Sequence, residues 1–143
     1  LWAILAHRCE AKDLDSLNQR LNLPRSWNHT ILDVIAVSQV LDRLDDPTLR
    51  SSEVYWLLFG LGTHAIKAWS LLKPATTSGA WLDYYLKKLR MAKTKLTGND
   101  LIELGIPKGP QIGILLKELR DGRLDGTLSS SKDEVRYLNE KQQ

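Results

Sequence analysis

The sequence contains little cysteine and no long apolar run. Cys9 is the only cysteine among 143 residues, so neither an intramolecular disulfide framework nor a multi-cysteine zinc site can form. The longest apolar stretch, residues 54–61, is far shorter than the roughly 20 residues that span a bilayer. The first residues lack the basic start and the length of a signal peptide. These absences predict a cytoplasmic protein without a membrane partner.

Motifs with an established catalytic mechanism are absent as well. The sequence has no P-loop, no G-x-S-x-G nucleophile elbow, no H-E-x-x-H zinc motif and no His-Asp pair. His7 and Cys9 would not lie side by side on a helix, and no second ligand pair completes a four-coordinate site. His29 and His64 each stand alone, which favours structural roles. We therefore assign no catalytic residue and no metal ligand from the sequence.

Apolar residues recur at helical spacing, whereas alternation with a period of two is lacking, so the sequence predicts an all-α fold. A long helix should follow Pro24 and end at Asp45-Asp46-Pro47. Its apolar stripe consists of Ile31, Val34, Ile35, Leu41 and Leu44. The apolar segment 54–59 predicts a centrally buried helix, and further helices are predicted at residues 65–72 and 78–92.

The last third of the chain contains several helix-boundary signals. Thr97 and Asp100 match a capping box, and Gly105 suits the left-handed residue that follows a helix. Pro110 suits the first turn of the next helix, because its missing N–H needs no partner there. Gly122 is predicted to end that helix.

A last helix is predicted after a serine-rich turn. Ser131 and Glu134 match a second capping box, which would open a helix that continues through Val135 and Leu138. Together with the two preceding helices, it predicts a small helical tail after a larger helical body.

The basic residues are concentrated in one window. The whole chain has a net charge of +3, yet residues 87–123 contain nine Lys and Arg against four Asp and Glu. Five cations lie within nine residues, with no acidic residue between them: Lys87, Lys88, Arg90, Lys93 and Lys95. Lys117, Arg120 and Arg123 extend the positive charge. Such a run can be a binding surface for an anionic partner or simply a solvated helix face. The run alone favours neither interpretation.

The adjacent turn, residues 105–113, favours a binding function. Two glycines allow a partner to approach the backbone, and free N–H groups at the start of the next helix can bind an anion with help from Lys108. Two short helices joined in this way resemble a helix-hairpin-helix, which suits a phosphate. The five tryptophans lie outside the basic window, and this position favours core packing over stacking on bases.

Residues 96–116 resemble the C-terminal signature of bacterial class II tRNA nucleotidyltransferases, the poly(A) polymerase family. The shared pattern is apolar-Thr-Gly-x-Asp-Leu, then apolar-Gly, then Gly-Pro-x-Ile-Gly followed by leucine. Residues 124–128 resemble the turn before the family's last helix. Weaker similarity extends upstream to residues 20–24 and 52–55, so the resemblance covers the chain in order but is specific only over residues 96–128.

The resemblance implies a helical body over residues 1–92 and an RNA-binding helical tail over residues 93–143. The chain begins with Leu1 rather than Met, which suggests a segment of a longer protein. The family's catalytic head, which would use magnesium with ATP or CTP, has no counterpart in these residues, so the segment should need no cofactor and should be inactive alone. Its implied partner is tRNA, and CCA, CC or A addition all remain open.

The expected role is docking of the acceptor and T arms of tRNA through backbone contacts. The residues predicted to contact RNA are Lys87, Lys88, Arg90, Lys93, Lys95, Gly105, Lys108, Gly109, Gln111, Gly113, Lys117 and Arg120. A helix-hairpin-helix module that binds DNA in repair or recombination is the alternative, although it leaves the Thr97 opening unexplained. A helical protein-interaction scaffold, with residues 54–61 or Trp81 at its surface, is a third possibility.

Overall fold

The structure, a computed structural model, describes residues 25–141 and Ser16, with only the backbone for residues 25–28. Within this part the chain is helical and contains no strand, which confirms the all-α class. The helices are α1 (Arg25–Leu44), α2 (Ser51–Leu58), α3 (Thr63–Leu72), α4 (Thr77–Lys87), a 3-10 turn (Leu89–Met91), α5 (Gly98–Glu103), α6 (Pro110–Leu124) and α7 (Ser131–Lys141). The features noted at Trp2, His7, Cys9 and residues 20–24 lie outside the described residues, as does the side chain of Trp27.

The contacts divide the described chain into two compact units. Residues 25–49 and Glu53–Arg90 form the first unit, whereas Arg50–Ser52 and residues 91–141 form the second. Within residues 25–141, no helix combines the length and the apolar character that a bilayer span requires.

The first unit is built around α3, which packs against both α1 and α4. The predicted stripe of α1 is confirmed, because all five of its apolar residues are buried. Trp69 on α3 is buried, and its indole Nε1–H donates to the carbonyl oxygen of Val34 at 2.8 Å. This tryptophan therefore serves core packing, and its polar atom is satisfied there.

A carboxylate from the end of α1 fixes the start of α4. Asp45 Oδ1 accepts from the backbone N–H of Ser78 at 2.7 Å, and Thr76 caps the same helix through Gly79 N–H. A Cβ atom on Gly79 would lie 1.7 Å from the carbonyl oxygen of Lys73. Glycine is thus required where the α3–α4 connection meets the first turn of α4.

The aromatic segment of α2 is only partly buried. Val54, Tyr55 and Leu58 are buried, and the Tyr55 ring lies 6.0 Å from the ring of Tyr85. Phe59, by contrast, is 54% exposed. The prediction of central burial for the whole segment was wrong, because α2 ends at Leu58 and Phe59 enters the turn that precedes Gly60.

The second unit has its own small core. Leu101, Ile106, Leu115, Leu119 and Leu138 are buried together. The end of α6 also binds the separate segment Arg50–Ser52, because the Asp125 carboxylate accepts from the Ser52 N–H and hydroxyl, each at 2.8 Å. A side chain distant in sequence thereby satisfies a free N–H at the start of α2.

The predicted boundaries of α5 are confirmed. Thr97 and Asp100 form a reciprocal capping box. Gly105 has φ +88°, and its N–H donates to Ile102, while the N–H of Ile106 donates to Leu101. This pair of bonds is a Schellman motif, and it buries Ile106 beside Leu101.

Two other predicted boundaries were wrong. Helix α6 continues past Gly122 to Leu124, and Gly126 supplies the left-handed residue with φ +77°. A Cβ atom on Gly122 would lie 2.6 Å from Leu128 Cδ1, so this glycine permits close packing inside the unit. The capping box of α7 lies one residue earlier than predicted. The N–H of Ser130 donates to the Asp133 carboxylate, and the N–H of Asp133 donates to the Ser130 hydroxyl oxygen.

Candidate nucleic-acid interface

The twelve residues predicted to contact RNA are distributed over both units. Lys87, Lys88 and Arg90 belong to the first unit, and the other nine belong to the second. Eleven of the twelve are exposed, and Arg120 is half-buried. The candidate interface therefore comprises two separate sets of residues.

In the first unit, the basic residues lie where α4 ends. The helix stops at Lys87 and is followed by the 3-10 turn, so the predicted regular helix to residue 92 was wrong. Leu89 is buried and anchors this turn, which leaves Lys88 and Arg90 exposed. Lys87 forms an ion pair with Asp83, one helical turn earlier. Part of the charge counted from the sequence is thus neutralised locally.

In the second unit, Lys93 and Lys95 lie on an irregular connection between the 3-10 turn and α5. Both side chains are exposed. The side chain of Glu134 on α7 binds the backbone of this connection. The Glu134 carboxylate accepts from the N–H of Lys95 at 3.0 and 3.1 Å and from the N–H of Leu96 at 2.8 Å. Lys95 therefore projects from an anchored backbone, and neither lysine lies on a helix.

Glu134 is fully buried, with 0% of its surface exposed. The sequence predicted a capping role for it and gave no indication of this burial. The Nη1 atom of Arg123 donates to its Oε1 at 3.2 Å. Arg123 also donates to the carbonyl oxygen of Ser129. The prediction that Arg123 adds to the positive surface was wrong, because its guanidinium compensates a buried carboxylate. Because Ser131-x-x-Glu134 matches a capping box, the sequence favoured a capping role for Glu134 over the buried ion pair with Arg123.

The Gly-Pro turn between α5 and α6 projects into solvent. Ile106 anchors one end in the core, whereas Pro107, Lys108 and Gly109 are exposed. Gly109 is extended and precedes Pro110, which opens α6 as predicted. Helices α5 and α6 therefore flank this turn, as predicted from the sequence, and its likeness to a helix-hairpin-helix stays a prediction.

Backbone donors at this turn are available to a ligand. Among the described residues, no acceptor lies within hydrogen-bond distance of the N–H groups of Lys108, Gly109 and Gln111. The N–H of Ile112 is satisfied by the carbonyl oxygen of Gly109 at 3.2 Å. Exposed N–H groups at a helix start, beside a lysine, suit a phosphate oxygen.

Gly109 and Gly113 have no internal reason to be glycine. A Cβ atom at either position would meet nothing within 4 Å, and Gly113 lies inside α6, where glycine costs about 1 kcal/mol relative to alanine. Gly79 and Gly122 differ, since packing excludes a side chain there. Packing within the protein therefore does not account for glycine at these two positions.

The solvent face of α6 includes Gln111, Gly113 and Lys117, together with Ile114, whose side chain is 59% exposed. Sequence reasoning missed Ile114, although its position outside the stripe of Ile112 and Leu115 was a usable signal. An exposed apolar side chain beside a bare backbone gives this face a nonpolar contact as well as polar ones.

The carboxylates at the starts of α5 and α7 accept hydrogen bonds from neighbouring residues of the protein. Backbone and side-chain hydrogen bonds from Thr97 lower the pKa of Asp100. Hydrogen bonds from the hydroxyl and backbone of Ser130, with similar bonds from Ser129, lower the pKa of Asp133 strongly. Both groups are ionised at neutral pH, so neither can act as a general acid there. Across the described part of the chain, no three His, Cys, Asp or Glu side chains are grouped closely enough to hold a metal ion.

Comparison with known proteins gives one informative relative. The chain is similar to an A-adding tRNA nucleotidyltransferase of Geobacter sulfurreducens, with 28% identity over 125 aligned residues that cover 82% of the chain. The chain spans 14% of the length of that protein. No protein-family model matches the sequence. No solved structure matches it.

Proposed function

We propose that this chain is a tRNA-binding region of a tRNA nucleotidyltransferase, equivalent to the helical C-terminal part of that family. The observation that carries the proposal is the exposed Gly-Pro turn, with its unpaired N–H groups and its two glycines that internal packing does not require. Similarity to the A-adding tRNA nucleotidyltransferase supports tRNA as the partner and A addition as the associated process. The proposal concerns binding and assigns no step of nucleotide transfer to the described residues.

Binding through the backbone fits the chemistry of the two sets of residues. A-form RNA presents phosphates and 2′-hydroxyl groups, whereas its deep major groove is inaccessible to side chains. Lysine side chains and main-chain N–H groups recognise phosphates without regard to sequence. Lys93 and Lys95, the latter with its backbone bound to Glu134, supply the lysine side chains. The N–H groups of Lys108, Gly109 and Gln111 supply the main-chain donors in the same unit.

A charge-reversal pair tests the assignment. Lys108→Glu should weaken tRNA binding for all tRNA sequences and reduce the slope of log K against log salt by about one, because one phosphate contact is lost. Lys132→Glu is the matched control, since Lys132 is an exposed lysine of the same unit outside the predicted set. Fluorescence anisotropy with labelled tRNA measures both variants. Equal losses in the two variants would refute a specific role for the turn.

The first unit is tested separately. Lys87→Glu combined with Lys88→Glu should weaken tRNA binding and flatten its salt dependence without unfolding the chain, as checked by circular dichroism. Unchanged affinity would exclude these residues from the interface.

The DNA-binding alternative uses the same phosphate chemistry at residues 105–113. Titrations with tRNA and with duplex DNA at equal salt distinguish the two functions. Tighter binding to tRNA supports the proposal, and tighter binding to DNA would favour the helix-hairpin-helix alternative. A protein-interaction scaffold would instead form oligomers or bind no nucleic acid.

A further inference from the structure

A groove of about 640 Å³ lies in the first unit, lined by residues of α3 and α4. Leu71 and Tyr84 contribute its apolar surface, and they are 58% and 44% exposed. Large apolar side chains exposed together in a concave site indicate ligand binding more strongly than scattered ones do.

The rim of the groove is positively charged. Lys67, Lys87 and Lys88 line it. Among the lining residues that the structure describes, Asp83 is the one acidic side chain, and it is paired with Lys87. Within the described part of the chain, no carboxylate pairs with Lys67 or Lys88. The groove therefore has an excess of two cations and suits an anionic ligand.

Tyr84 provides a flat surface beside these cations. Its ring packs edge-to-face with Trp81, with 5.9 Å between the ring centroids, so its orientation is supported from one side. Nucleic acid bases stack on such rings whatever their sequence, and each stacked base contributes about 1–3 kcal/mol. An aromatic ring flanked by lysines thus matches both parts of a nucleotide, the base and the phosphate.

We propose that this groove binds an unpaired segment of RNA, with a base stacked on Tyr84 and phosphates at Lys67 and Lys88. The inference rests on the proposed function, since it assigns a single-stranded part of the same RNA ligand to the first unit. An acidic peptide without aromatic residues would satisfy the lysines but would present no flat ring to Tyr84. The similarity to a tRNA enzyme also favours RNA.

The test compares two labelled RNA hairpins by fluorescence anisotropy, one blunt and one with an unpaired 3′ extension of several nucleotides. The full chain should bind the extended hairpin at least about fivefold more tightly, the value that corresponds to 1 kcal/mol of stacking. Tyr84→Leu should abolish this preference and leave the affinity for the blunt hairpin unchanged. Tyr84→Phe should retain the preference, because it keeps the ring.

Charge is tested with Lys67→Gln, which should weaken binding of the extended hairpin alone. Arg43→Gln is its control, since Arg43 is an exposed cation of the same unit that does not line the groove. Oligo-glutamate should not displace the extended hairpin from the chain. Displacement at equal charge would show that the groove binds any anion, and this result would overturn the inference.

The outcomes separate this inference from the proposed function. Equal affinity for the two hairpins, or an equal loss for both in Tyr84→Leu, would overturn the groove assignment while the tRNA-binding proposal stands. If neither hairpin nor tRNA binds, both proposals are refuted.

Discussion

Removal of the Glu134 carboxylate should destabilise the second unit strongly. Glu134→Ala leaves Arg123 without its buried partner and leaves the N–H groups of Lys95 and Leu96 without an acceptor. Removing one member of a buried pair costs about 3–5 kcal/mol. A typical domain is stable by only about 5–15 kcal/mol, so this loss is a large fraction of the total.

The matched control is Glu140→Gln, an exposed glutamate on the same helix α7. It should change the free energy of unfolding by no more than about 0.5 kcal/mol, as surface substitutions usually do. Urea titration monitored by far-UV circular dichroism measures both variants. The tryptophans with described side chains, Trp56, Trp69 and Trp81, all belong to the first unit, so their fluorescence reports on that unit.

Amide hydrogen exchange gives the local result. The N–H groups of Lys95 and Leu96 should exchange much faster in Glu134→Ala than in the unmodified chain, while core amides of the first unit serve as an internal reference. Because Lys95 would lose its anchored backbone, affinity for tRNA should fall as well. Stability equal to that of Glu140→Gln, with unchanged exchange at the two amides, would refute the anchoring role of Glu134.

The other predictions concern two glycines and the capping carboxylates. Gly113→Ala should stabilise the fold by up to about 1 kcal/mol, because the site is helical and open, and thermal melts measure this effect. The same substitution should weaken tRNA binding, as measured by fluorescence anisotropy. Unchanged affinity would exclude close contact between the RNA and the backbone at Gly113. Gly79→Ala should destabilise by about 3 kcal/mol in urea titration, because its Cβ would overlap the Lys73 carbonyl; a neutral result would contradict that packing. Hydrogen bonds lower the folded-state pKa of Asp100 and Asp133, so their stabilisation is complete above the unfolded value of about 3.9 and is lost as pH falls below it. Melting temperatures between pH 5 and pH 2 should drop less in Asp133→Asn than in the unmodified chain, and parallel curves would contradict this linkage.

Local signals in the sequence predicted much of the fold. The stripe of α1, the capping box at Thr97 and the left-handed Gly105 each depend on residues within one or two turns, so their chemistry is readable from short segments. The all-α class follows from the same periodicity.

Boundaries decided by distant residues could not be predicted in this way. Ser130-x-x-Asp133 and Ser131-x-x-Glu134 both match a capping box, and only the partners of Glu134, 38 and 39 residues earlier in the chain, exclude it from that role. Gly122 and Gly126 are equally plausible helix ends until Leu128 packs against Gly122. Long-range contacts, rather than local propensity, settle such choices.

The RNA-contact role of the candidate site residues stays a prediction, but the structure shows which of the expected cations have partners within the protein. The i, i+4 spacing of Asp83 and Lys87 in a predicted helix was a usable signal for their ion pair. The pairing of Arg123 with Glu134 had no comparable local signal. The net charge of a sequence window includes cations that form ion pairs in the folded protein. It therefore overstates the positive charge that is available to a ligand.

The central claim is that this chain recognises tRNA through its phosphate backbone and shape. The most direct test is a titration of the chain with a full tRNA and with a single strand of equal length, at two salt concentrations. The account predicts tighter binding to tRNA, with affinity that falls as salt rises because bound cations are released from the RNA. Equal affinity for the two RNAs, or affinity independent of salt, would contradict it.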